Sequence, residues 1–102
     1  MLVVTAVIKA KAGMEQEVEN AIKAVMPKVE TEEGTLMYTL HRAKKEPGKF
    51  LFYEQYTGKE ALGAHAATPY FKELFAKINP MLEGAMAVDM YEDVAGITQK
   101  KK

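Results

Sequence analysis

The run Leu2-Val3-Val4-Thr5-Ala6-Val7-Ile8 is apolar on both faces of an extended chain, and this limits the fold more than any other feature. Residues 2–11 read as a strand, with Val4, Ala6, Ile8 and Ala10 on one face and Val3, Thr5, Val7 and Lys9 on the other. A small antiparallel sheet normally leaves one face to water, so a strand apolar on both sides implies that something else packs there. The chain has 102 residues, enough for one domain with a thin core and too few for two.

The remaining elements follow from periodicity. Residues 14–33 read as a helix whose buried stripe is Val18, Ala21, Ile22, Val25, Met26 and Val29. Pro27 predicts a kink or a shortened regular segment, and Gly34 is expected to end the helix. Residues 35–43 form a second strand, with Leu36, Tyr38 and Leu40 on one face and Met37, Thr39 and His41 on the other. Pro47-Gly48 suits the centre of a type II turn leading into a third strand over 50–57. That strand carries Phe50, Phe52, Glu54 and Tyr56 on one side and Leu51, Tyr53 and Gln55 on the other.

A short helix over 59–66 precedes a second one, which Thr68 caps and Pro69 opens. Phe71, Leu74, Phe75, Ile78 and Leu82 then recur at helical spacing, Asn79-Pro80 ends or bends the helix, and 85–93 is the last strand. The order β-α-β-β-α-β, with right-handed crossovers placing the helices on one face, specifies an α+β, ferredoxin-like domain. It spans residues 1–96 and is followed by a polar tail over 97–102. The face away from the helices is too apolar to be wetted, so two sheets are expected to pack together as a homodimer, a dimeric α+β barrel.

Composition removes several functions. Fourteen basic and fourteen acidic side chains cancel, so nothing builds the positive field of a nucleic-acid binder. Lys100-Lys101-Lys102 reads as a solvated tail. With no cysteine, the chain can form no disulfide, thiol nucleophile or thiolate metal site. The apolar start is too short to span a membrane and lacks a signal-peptide pattern, so the expected location is cytoplasmic. Seven methionines could line a pocket or an interface, or simply fill the core.

The chemistry-bearing residues cluster in three stretches: Phe52-Tyr53-Glu54-Gln55-Tyr56-Thr57, Leu62-Gly63-Ala64-His65 and Thr68-Pro69-Tyr70-Phe71. A strand ending in Tyr-Glu-x-aromatic, a short helix delivering His and a Thr-Pro-x-Phe helix start resemble the antibiotic biosynthesis monooxygenase domain. Glu33-Gly34-Thr35-Leu36-Met37-Tyr38 is similar to that family's acidic-Gly-x-x-x-Tyr entry into its second strand. The resemblance covers residues 2–93. It implies a cofactor-independent monooxygenase in which a small hydroquinone, anthrone or polyphenol, once deprotonated, itself reduces O2. Haem-degrading relatives use Asn, Trp and an axial His where this chain has Ala6, His65 and Phe75.

Such chemistry needs a dry pocket, a proton acceptor and donors for the resulting oxyanion. His65 is the candidate base, since free imidazole titrates at about 6.5. Glu54 would orient His65 or bind a substrate hydroxyl, unless it pairs with a lysine at the sheet edge. Tyr38, Tyr56, Phe71 and Phe75 would wall an aromatic substrate, although Phe71 and Phe75 are core residues first. His41 reads as a surface residue, and no His/Asp/Glu spacing suggests a metal site. Two other functions use the same residues: a cofactor-free isomerase or tautomerase, and a non-catalytic small-ligand binding module.

Overall fold

A computed structural model describes residues 1–98 and residue 100 of the chain. The expected tail over 97–102, including its lysine run, therefore lies partly outside the described residues. Strand β1 (Leu2–Lys9) is followed by helix α1 (Glu15–Val29) and the hairpin of β2 (Thr35–Arg42) and β3 (Lys49–Tyr56). Helices α2 (Lys59–Ala66) and α3 (Pro69–Ile78), a 3-10 turn at Asn79–Met81, and β4 (Ala87–Glu92) complete the chain. The sheet order is β2-β3-β1-β4, every adjacent pair antiparallel, which is the ferredoxin-like arrangement. Both crossovers skip one strand, and the second is made by α2 and α3 together.

The register aligns two rows of side chains beneath the helices. Tyr38, Glu54, Val4 and Met90 lie abreast on β2, β3, β1 and β4. Beside them run Leu40, Phe52, Ala6 and Val88. Ile8, Phe50 and Phe52 from this face pack with Val18 and Ile22 of α1 and Ile78 of α3, each almost wholly buried. Burial of each large apolar side chain contributes about 1.5–3 kcal/mol. The helices stop short of β4, whose six residues are all exposed. On the opposite face, Val7, Met37, Leu51, Tyr53 and Tyr91 are not covered by any helix, and Tyr91 is 51% exposed.

Four local expectations need correction. Helix α1 ends at Val29, two residues after Pro27, rather than at residue 33. Pro27 leaves the Lys23 carbonyl without its helical donor, and residues 30–34 turn instead of continuing the helix. Gly34 is consequently not a helix cap. A Cβ at this position would meet the Ala61 Cβ at 2.4 Å, so glycine is there to let the start of β2 touch α2.

The Glu46–Lys49 turn is closed by the Lys49 N–H donating to the Glu46 carbonyl at 2.9 Å. Gly48 does not adopt the positive φ that type II requires. Its smallness matters instead, because a Cβ would sit 3.0 Å from the Ala10 carbonyl oxygen. Finally, Leu36 does not stand in a regular strand alternation with Tyr38. The pairing passes from Thr35↔Tyr56 to Met37↔Gln55, leaving Leu36 in a bulge and 54% exposed.

Candidate active site

His65 lies near the end of α2 with 2% of its surface exposed. Its Nδ1 is 2.8 Å from Glu32 Oε1, while Nε2 is buried with no hydrogen-bond partner. Glu32 projects from the turn after α1, the segment that Gly34 allows to press against α2. Thr35 Oγ1 donates to the same Oε1 at 2.8 Å, and the Tyr70 hydroxyl donates to Oε2. An ionised carboxylate only accepts, so in the neutral ring the hydrogen sits on Nδ1 and Nε2 presents a lone pair. Burial works to raise the Glu32 pKa. The bonds from Tyr70, Thr35 and His65 outweigh it and hold the carboxyl below its ordinary value.

Glu54 has the opposite environment. It is 7% exposed on β3, and Tyr56 Oη donates to its Oε1 at 2.5 Å. Burial raises its pKa, aided by the nearby negative charge of Glu32 and opposed by the Tyr56 bond and by His65. Two carboxyls near one imidazole are thus pushed apart, one toward the ionised form and one toward the neutral form. Burial and the neighbouring carboxylates raise both the Tyr38 and the Tyr56 phenol, so both remain hydrogen-bond donors.

Between the sheet and α2–α3 lies a cavity of about 130 Å³ reached by His65, Glu54 and Tyr38. Phe71 meets the His65 ring edge-on at 5.0 Å between centroids, and Phe75 backs Phe71 at 4.8 Å. Tyr38 stands 5.2 Å from the imidazole. Five of the six residues expected at the site therefore line one space. Tyr56 does not; it is fully buried behind Glu54, its ring 5.6 Å from that of His65. Nor does Glu54 orient His65 or pair with a lysine, because its hydrogen bond is to Tyr56.

The residue that orients His65 is Glu32, which the sequence reading did not single out. It sits in the acidic run Glu30-Thr31-Glu32-Glu33, where nothing local distinguishes it from the exposed Glu33. His41 is exposed and bonded to Thr39. A larger, more open groove of about 630 Å³ between α1 and β2 is bordered by Tyr38 but reached by neither His65 nor Glu54.

The sequence profile of one family, antibiotic biosynthesis monooxygenase, matches residues 1–77. The chain belongs to the antibiotic biosynthesis monooxygenase family. A Caulobacter crescentus CB15 structure carrying that family's name is 32% identical, with a TM-score of 0.87 over 92% of this chain and 90% of that one. A further crystal structure named antibiotic biosynthesis monooxygenase is 29% identical, with a TM-score of 0.88, covering 93% of this chain and all of the other. The uncharacterized protein sll1783 of Synechocystis sp. is 28% identical over 91 residues, 89% of this chain. The match spans 62% of that curated relative's length. In this antibiotic biosynthesis monooxygenase domain, no helix among the described residues is long and apolar enough to cross a membrane.

Proposed function

We propose that the protein is a cofactor-independent monooxygenase that oxidises a small hydroquinone, anthrone or polyphenol with O2. The observation that carries this reading is the His65 imidazole, tied to Glu32 through Nδ1 while Nε2 stands unpartnered and buried at an apolar cavity. Leaving such an atom unsatisfied costs about 1–3 kcal/mol, and a substrate hydroxyl donating to Nε2 relieves that cost. His65 takes the phenolic proton, with the Glu32 carboxylate stabilising the imidazolium that forms. Tyr38, held in its donor form, faces the developing phenolate. Glu54, backed by Tyr56, meets a second hydroxyl. The electron-rich ring then reduces O2: one oxygen atom forms the new ring C–O bond. The other leaves as water with two substrate hydrogens, so hydroquinone and O2 yield hydroxyquinone and water.

The working unit in this reading is a homodimer. Its support is the helix-free sheet face bearing Val7, Met37, Leu51, Tyr53 and Tyr91, an apolar surface that a second copy would cover. An isomerase would use the same His65. A phosphorylated substrate, however, would find no lysine or arginine among the described residues lining the cavity, and Lys9, Lys11 and Arg42 are all exposed.

Oxygen uptake by metal-stripped protein, with product analysis across hydroquinones, anthrones and polyphenols, tests the proposal. His65→Ala should lower turnover by about 10²–10⁴-fold, the scale of general base catalysis. An absence of catalysed uptake across that panel, or full activity in the variant, would sink the assignment.

A further inference from the structure

The cavity's dimensions and its charge complement restrict the substrate beyond the class named above. Its volume of about 130 Å³ is close to the roughly 150 Å³ of an engineered apolar cavity that binds benzene. That space suits one six-membered ring. The walls have little room to yield: Phe52 is 1% exposed in the core, and Phe71 is wedged between His65 and Phe75. Depth comes from Ala6 on the sheet floor, opposite Phe52 on one side and Val88 on the other. The rim lies toward β4, where Met86 is half-buried and Val88 is 47% exposed.

The polar groups are equally selective. Among the described residues, His65, Glu54 and Tyr38 are the ionisable side chains reaching the space, and no cationic lysine or arginine joins them. Glu32 adds a fixed negative charge directly behind His65. A carboxylate, sulfate or phosphate on the ring would lose its hydration without gaining a counter-charge, which a poorly solvated site penalises heavily. Uncharged hydroxyls, by contrast, can donate to Nε2 and exchange hydrogen bonds with Glu54 and Tyr38.

We propose that this cavity selects single-ring phenols bearing only uncharged substituents, and excludes fused-ring and anionic aromatics. Among the substrates of the oxygenase reading, on which this inference rests, it favours monocyclic hydroquinones over anthrones. Ala6 sets the depth and Phe75 the width of the space, making both specificity-determining positions.

Anaerobic NMR titration of the His65 imidazole signals with phenol, resorcinol, 2-naphthol and 4-hydroxybenzoate tests this without requiring oxygen chemistry. The chain has only two histidines, so the signals are readily assigned. Phenol and resorcinol should bind at least about tenfold more tightly than 2-naphthol, although naphthol is the more hydrophobic ligand. They should exceed 4-hydroxybenzoate by a similar or larger factor. Phe75→Ala should remove the preference against naphthol. Ala6→Val, whose added methyls suit a strand, should weaken phenol binding while thermal unfolding reports an intact fold. Naphthol or hydroxybenzoate binding as well as phenol to the wild type overturns the inference, as does a failure of every probe to bind. Single-ring binding with the expected order but no oxidation of any hydroquinone would instead overturn the oxygenase reading and leave the size selection standing.

Discussion

Replacing Glu32 with glutamine separates orientation of His65 from its presence. The substituted amide would keep the shape of the side chain but lose the charge that fixes the hydrogen on Nδ1. The contact at stake is the 2.8 Å charge-assisted bond between Nδ1 and Oε1. Such bonds contribute about 1.5–3 kcal/mol. If that stabilisation is expressed when the imidazole becomes cationic, turnover should fall about 10–150-fold, at 1.36 kcal/mol per factor of ten. The new amide can also donate to Nδ1, which would move the hydrogen to Nε2 and remove the base altogether, so the lower end of the range is a floor. Glu32 does not line the cavity, so KM should change by less than about threefold while kcat carries the loss. Steady-state oxygen uptake with a monocyclic hydroquinone gives both constants. Tyr70→Phe, which removes one of the donors to Glu32 but leaves Thr35 in place, should produce a smaller loss of the same kind. A Glu32→Gln enzyme with wild-type kcat, or one whose defect is confined to KM, would refute the orienting role.

Three further outcomes follow from the same structure. The raised pKa of Glu54 means its ionisation opposes folding: this cost is absent below its ordinary value of 4.5 and grows as pH rises through the folded value. Glu54→Gln, whose amide oxygen can still accept from Tyr56, should therefore raise the melting temperature at neutral pH but not at pH about 4; an equal gain at both would exclude the electrostatic cause. Gly34→Ala places a methyl 2.4 Å from the Ala61 Cβ, and should destabilise by about 1–3 kcal/mol in urea unfolding, with Gly34→Ala/Ala61→Gly recovering part of it. Sedimentation velocity should give twice the chain mass for the wild type and a monomer for Leu51→Lys/Tyr53→Lys; a monomeric wild type would dispose of the paired-sheet proposal.

The strand and helix pattern was legible because each element repeats its own period several times. Phe50, Phe52, Glu54 and Tyr56 alternate cleanly and all point beneath the helices. Thr68-Pro69 was equally clear, and the Thr68 hydroxyl does accept the Phe71 N–H at 3.3 Å. Legibility failed where contacts join distant segments. Glu32 and His65 are 33 positions apart, and only the crossover from α1 to the hairpin brings the turn after α1 against α2. The acidic run also continues the polar face of α1 without a break, so the helix looks longer than it is. Gly34 resembles a cap by position, yet its smallness answers to Ala61, a residue from another element. Tyr56 shares the alternation of Glu54 and was expected beside it in the wall. Strand parity assigns a face, but it does not say how far along that face a helix seals it.

The bulge at Leu36 bears on which changes in chain length this site can absorb. Thr35 is anchored opposite Tyr56, and Leu36 is the one additional residue on β2 before Met37 meets Gln55 and Tyr38 meets Glu54. With Thr35 held in place, deletion of Leu36 would close the bulge and still leave Met37 opposite Gln55 and Tyr38 opposite Glu54, so the phenol would stay beside the base. The buried residues of β1, α1 and α3 would be untouched. A codon lost at this exposed position would thus leave the polar character of the cavity unchanged, so related chains can differ in length here while conserving one site.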